Sequence, residues 1–230
     1  MLLEFKNVRK EYGKTIVLDI DNLSIDKGEC VGIVGNNGAG KTTAFSLILD
    51  LIKASNGAIE SKGNYVSSNE SWKSYTSAFL DESFLIDFLT PNEYFDFVGG
   101  LHNWSKREVQ DFINQFEDFF NGEVLGVKKY IRDLSKGNQK KVGIVGSLIG
   151  NPEIVILDEP FASLDPTTQI RLKRIIRERL DQHTFLISSH DLTHVAEVCS
   201  RIIILEQGKV VMDNPKTEDT IQQMTEYFHV

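Results

Sequence analysis

Apolar positions along the chain follow two periods, and their alternation outlines the fold. Leu3 and Phe5, continued by Val8, alternate with polar residues, and Ile16, Leu18 and Ile20 do the same. This predicts two half-buried strands with a turn at Tyr12-Gly13-Lys14. Cys30-Val31-Gly32-Ile33-Val34 reads as a buried strand, followed by a glycine-rich loop and an apolar helix from Lys41 to about Lys53. Asn56-Gly57 is a turn, and 67–74 is polar and reads as a loop. From Thr90 the period becomes helical. Thr90-Pro91-Asn92-Glu93 and Ser105-Lys106-Arg107-Glu108 are capping boxes, the first with proline at the opening helical position. Val109, Phe112, Ile113, Phe116 and Phe119/Phe120 then recur at helical spacing, as a packing stripe does.

The second half returns to strand and helix in turn. Ile154-Val155-Ile156-Leu157 is a continuous apolar run, as expected of a strand covered on both faces. A helix near 167–180 carries Leu172, Ile175, Ile176 and Leu180 on one side. Arg171, Lys173, Arg174, Arg177 and Arg179 lie on the other, a set that reads as a solvated face in preference to a binding face. Phe185-Leu186-Ile187-Ser188, Ile202-Ile203-Ile204-Leu205 and Val210-Val211-Met212 are further strands, and a short helix follows Thr217. The expected organisation is an α/β core over 1–83 and 135–230, with an inserted helical subdomain over 84–134.

Composition narrows the class. With 230 residues the chain can bury a full core unaided, and 41% hydrophobic with 25% charged residues is ordinary for a globular protein. A net charge of −8 argues against gripping a nucleic-acid backbone. Cys30 and Cys199 are far apart in sequence and belong to no metal-ligand pattern, so they are expected to be buried thiols in a reducing compartment. The first residues lack the pattern of a signal peptide, and no apolar run reaches the ~18–20 residues that span a bilayer. A cytosolic location is expected.

Two motifs carry chemistry. Gly35-Asn36-Asn37-Gly38-Ala39-Gly40-Lys41-Thr42 fits G-x-x-x-x-G-K-[ST], between a strand and a helix. Its glycines let successive N–H groups face phosphate oxygens, and the helix start adds a positive dipole end. Lys41 is expected on the β- and γ-phosphates, and Thr42 on Mg²⁺. Downstream, the strand ending at Leu157 delivers Asp158 and Glu159 at its carboxyl end, where sheets of this class bind ligands. Asp158 suits the Mg²⁺ shell and Glu159 the attacking water. Together they read as one magnesium–nucleotide site of a P-loop NTPase. No N-K-x-D guanine element is present. A small-molecule kinase would carry the same P-loop.

Further residues choose between these. Leu134-Ser135-Lys136-Gly137-Asn138-Gln139 resembles the LSGGQ signature of ATP-binding cassette (ABC) transporter subunits, and it stands just ahead of the acidic strand, as in that family. Ser163-Leu164-Asp165 resembles the family's D-loop, His190 in Ser188-Ser189-His190-Asp191 its switch histidine, and Tyr12 the aromatic that stacks on adenine. The resemblance covers nearly the whole chain. It implies an N-terminal antiparallel β subdomain, a mainly parallel core sheet and the helical insert. The nucleotide contacts it implies are Tyr12, Gly35, Asn36, Asn37, Gly38, Ala39, Gly40, Lys41, Thr42 and Thr43, with Ser135, Gly137 and Asn138 reaching the ATP of a second cassette. Glu159, His190 and Lys41 would be catalytic. Two departures stand out. Lys136 and Asn138 replace a Gly and the Gln of the signature, a form similar to single-cassette efflux subunits. Phe79-Leu80-Asp81-Glu82-Ser83 holds no Gln where the family's Q-loop has one; Asp81 occupies that position and is a candidate third Mg²⁺ ligand.

The resemblance implies an ATPase subunit, peripheral on the inner face of the cell membrane, that pairs with a separate transmembrane permease and a second cassette, using ATP and Mg²⁺ and no nucleic acid. Phe84-Leu85-Ile86-Asp87-Phe88 reads equally as a docking surface or as internal packing. Two rivals remain: a soluble ABC ATPase acting on nucleic acid or ribosomes, and an ATP-gated regulatory clamp with little turnover.

Overall fold

The computed structural model describes residues 1–228. The chain begins with strands β1 (Leu3–Tyr12), β2 (Thr15–Ile25) and β3 (Cys30–Val34), then helix α1 (Lys41–Ile48). Strands β4 (Asn56–Ser61), β5 (Asn64–Tyr65) and β6 (Thr76–Phe79) follow. Helices α2 (Pro91–Leu101), α3 (Lys106–Ile113), α4 (Glu117–Phe120) and α5 (Lys136–Gly146) come next. The remainder alternates: β7 (Ile154–Leu157), α6 (Pro166–Glu178), β8 (Thr184–Ser189), α7 (Leu192–Val198), β9 (Arg201–Glu206), β10 (Lys209–Pro215) and α8 (Glu218–Phe228).

Two sheets result. The larger has the order β10-β9-β3-β8-β7-β6, parallel from β9 to β6, with β10 antiparallel at one edge. The smaller is antiparallel, in the order β2-β1-β4-β5. This is the expected α/β P-loop architecture. The parallel strands carry apolar residues on both faces because both faces are covered. Ile154 and Ile156 of β7, and Ile203 and Leu205 of β9, pack with α1 and the small sheet. Their alternates Val155, Leu157, Ile202 and Ile204 pack on the opposite side, in a cluster with residues of α5, α6 and α7. Phe95, Val109, Ile113, Phe116, Phe119 and Phe120 belong to that second cluster. The helical segment therefore shares its core with the sheet.

Local details follow from side chains. Both capping boxes close, with Thr90 and Ser105 each accepting from the N–H three residues on. Helix α1 stops at Ile48, short of the expected Lys53, because Asp50 turns into the left-handed region (φ 49°). The polar stretch 67–74 ends in a 3-10 turn anchored by buried Trp72, whose Nε1 donates to Val66 O at 3.1 Å. The basic side of α6 is less solvated than the sequence suggests. Lys173 is buried against Glu197 at 2.6 Å, Arg174 pairs with Asp118 at 3.1 Å, and Arg179 covers the Phe116 ring at 4.5 Å. That face ties α6 to α4 and α7. Cys30 and Cys199 come together, Sγ to Sγ at 3.5 Å, both buried and reduced.

Candidate nucleotide-binding site

The first half of the site is the loop between β3 and α1. Gly38 and Gly40 have φ of 84° and 108°, which a side chain would strain. A Cβ on Gly35 would lie 2.2 Å from Leu205 O, so β9 passes too close for any other residue. The loop delivers Lys41, buried at the start of α1, whose Nζ donates to Gly35 O at 2.6 Å and stands 3.2 Å from Glu159 Oε1. Both partners are oxygen acceptors, as phosphate oxygens are. A cavity of about 300 Å³ opens here, lined by Val17, Asn37, Gly38, Ala39, Gly40, Lys41, Thr42, Thr43 and Glu159.

The second half comes from the carboxyl ends of β7 and β8, adjacent parallel strands. Thr42 Oγ1 donates to Asp158 Oδ2 at 2.5 Å, and Ser188 Oγ donates to the other oxygen, Oδ1. Burial pushes the Asp158 pKa up, while these hydroxyls and the charge of Lys41 work the other way. An ionised carboxylate held in a dry place beside a threonine hydroxyl is a hard-oxygen pair that a divalent cation would neutralise, so Thr42 and Asp158 fit Mg²⁺. Among the described residues no cluster of three His, Cys, Asp or Glu forms a metal site. Mg²⁺ needs none, since it takes one or two protein ligands and completes its shell with phosphate and water oxygens.

Glu159 is restrained through its main chain and its carboxylate. Its N–H donates to Ser188 Oγ at 2.9 Å. One carboxylate oxygen faces Lys41 and the other accepts from His190 Nδ1 at 2.8 Å. With Nδ1 so engaged, the other ring nitrogen of the exposed His190 is left for a ligand. The structure thus brings Lys41, Thr42, Asp158, Glu159 and His190 together. It adds three residues that sequence reasoning passed over: Val17 in the cavity wall, Ser188 between the two acids, and Lys140. Of these, only Ser188 carried a signal, its place at a strand end two residues before His190.

The remaining candidates lie elsewhere. Ser135 caps α5, accepting from Asn138 N–H at 3.3 Å, and is exposed. Gly137 faces the D-loop, where a Cβ would stand 3.1 Å from Ser163 O. Ser135, Gly137 and Asn138 do not line the cavity of their own P-loop. Asp165 caps α6 through Thr168 N–H at 3.0 Å. Tyr12 is exposed at the end of β1, with Lys10 Nζ 4.7 Å above its ring, and is outside the cavity wall. Asp81 is exposed, accepts from Ser83 N–H at 2.6 Å, and is likewise outside it.

Residues 18–162 match the ABC transporter family. The chain is 35% identical over 225 residues to an uncharacterized ABC transporter ATP-binding protein of Methanocaldococcus jannaschii, covering 96% of this chain and 80% of that protein. It is 33% identical over 199 residues to a longer one of Synechocystis, covering 86% of this chain but 56% of that protein. A solved ATP-binding subunit of an ABC transporter superimposes with a TM-score of 0.85 at 28% identity, covering 98% of this chain and 94% of the other. Family match, relatives and fold agree with the P-loop and the acidic strand: the chain belongs to the ABC transporter family, as an ATP-binding subunit of the ATPase class.

Proposed function

We propose that this subunit powers a membrane transporter by hydrolysing ATP between two cassettes, and that it works in export. The observation that carries the proposal is the placement of Glu159, gripped by Lys41 and His190 beside the Thr42–Asp158 pair. When a nucleotide enters, its phosphates replace Gly35 O and the Glu159 carboxylate as partners of Lys41. Glu159, released, orients water for in-line attack and accepts its hydrogen bond. Once Glu159 no longer takes the proton on Nδ1, His190 in its Nε2–H tautomer donates to the γ-phosphate and stabilises charge on the transferring group. Bound at Thr42 and Asp158, Mg²⁺ would neutralise charge on the β- and γ-phosphates.

The signature helix supports a paired mechanism. Its capped N-terminus is exposed and does not line the chain's own P-loop cavity, and a helix start favours an anion. A second copy, or a close paralogue, would bring its P-loop-bound γ-phosphate to Ser135, Gly137 and Asn138. Closure then depends on contacts present only with ATP bound. Tyr12 would stack on the adenine. Phe84 and Phe88 are 57% and 62% exposed while Leu85 between them is buried, an arrangement that suits docking to a permease. Peripheral attachment on the cytoplasmic face would follow from that docking; no described helix is long and apolar enough to cross a membrane. Export rests on the Lys136/Asn138 form of the signature. Phosphate release tests the chemistry. Wild type should turn over Mg-ATP and Glu159→Gln should be slower by about 10² or more. Equal rates would remove Glu159 from its role. Purification from native membranes tests the coupling. A multi-span protein at near 1:1 is expected, and recovery from cytosol alone would overturn the transporter reading.

A low-turnover ATP-gated clamp is the second reading. It is favoured by Asp81, which takes the place of the family's glutamine and caps its own turn. Asp81→Gln separates the two: a large gain in turnover would support the clamp.

A further inference from the structure

Lys140 lies on α5, in the turn after the cap Ser135, and is only 7% exposed. A buried ammonium is costly unless paired, so its partners are informative. Its Nζ donates to the main-chain carbonyl of Glu159 at 2.9 Å and stands 3.9 Å from Glu82 Oε1. The same carbonyl also accepts from Ala162 N–H at 3.2 Å. Glu159 has φ 47°, a left-handed conformation that a residue with a side chain holds only when its surroundings impose it. Ser188 fixes the N–H side of this residue, and Lys140 and Ala162 fix the carbonyl side. Glu82 opens the 3-10 turn immediately after Asp81, which follows β6 beside β7. Burial lowers the Lys140 pKa, while Glu82, Glu159, Asp158 and Asp81, in that order, hold its charge.

We infer that Lys140 is a positioning residue that holds the Glu159 backbone and ties it by charge to the Asp81–Glu82 turn. Displacement of that turn shifts the ammonium, and through the carbonyl it shifts the carboxylate that orients water. The link joins the Asp81–Glu82 turn, where Asp81 stands in place of the family's glutamine, to a buried lysine. This inference rests on the hydrolytic role of Glu159.

The test uses the purified full chain, with wild type, Lys140→Met, Lys140→Arg, Glu82→Gln and the double variant Glu82→Gln/Lys140→Met. Phosphate release, affinity for a fluorescent ATP analogue and thermal midpoint are measured for each. Lys140→Met should lose about tenfold or more in kcat while analogue Kd stays within about twofold, because the P-loop is untouched. Lys140→Arg should recover part of that loss. Glu82→Gln should lose several-fold, and the double variant should equal Lys140→Met alone, since both remove one link. Multiplying losses, or a kcat that falls only in step with the thermal midpoint, would overturn the inference. Should Lys140→Met not fold, Glu82→Gln decides, and unchanged kcat there overturns it. Absence of phosphate release in wild type would instead strike the hydrolytic role, and the inference would fall with it.

Discussion

At the scale of single residues, the site is organised around Glu159, whose peptide, carbonyl and carboxylate are each restrained by a different element. Lys41 is the other fixed point, and its loss should be felt at binding. A charge-assisted bond to phosphate is worth about 1.5–3 kcal/mol, so Lys41→Ala should weaken ATP at least about tenfold, measured by equilibrium fluorescence. Lys41, Thr42, Asp158, Glu159 and His190 were all legible in the sequence because their motifs fix both residue and spacing. Val17, Ser188 and Lys140 were not, since their roles depend on which strands and helices become neighbours in space. Two other histidines make stability depend on pH. His183 is buried on Pro152 O and His194 packs on the Phe161 ring, and burial lowers both pKa values below the usual 6.5. The unfolded chain therefore binds these protons first. Their contribution is intact above pH 6.5 and declines as pH falls below it. Thermal midpoints measured from pH 8 to pH 5 should drop below that point, with a shallower slope in His183→Gln.

At the scale of elements, the strands were legible because alternate side chains enter two separate cores, giving continuous apolar runs in β7, β8 and β9. The capping boxes marked α2 and α3 for the same local reason. Thr90→Ala should cost about 1 kcal/mol, read by denaturant unfolding. Where tertiary contacts decide, the sequence misled. The α6 arginines and lysine look like a solvated stripe, and Arg174 and Arg177 are exposed, yet Lys173 is buried against Glu197 of α7 and Arg179 covers the Phe116 ring. The end of α1 also escaped, because nothing local marks Asp50 as left-handed. The packing of α5 on β6 is tight. A Cβ on Gly143 would lie 2.0 Å from Phe79 Cε2, at the strand end that leads to Asp81. Gly143→Ala should cost about 1–3 kcal/mol by overpacking, and should also slow phosphate release by moving that strand end.

At the scale of the whole molecule, one feature separates a monomeric nucleotide binder from a paired motor. Ser135, Gly137 and Asn138 stand apart from the cavity formed by the P-loop of the same chain. Ser135→Ala should therefore leave ATP binding to the single subunit unchanged while abolishing cooperative hydrolysis, seen as a Hill coefficient falling to 1. The fold class and the order of motifs were readable along the chain. The part assigned to the signature came from the family resemblance, because its proposed partner is a second molecule. Sedimentation of Glu159→Gln tests the pairing most directly. With hydrolysis blocked and Mg-ATP present, the 26.0 kDa subunit should double in mass, and it should return to a monomer with ADP. A variant that binds Mg-ATP and stays monomeric at every concentration would show that ATP does not close two cassettes.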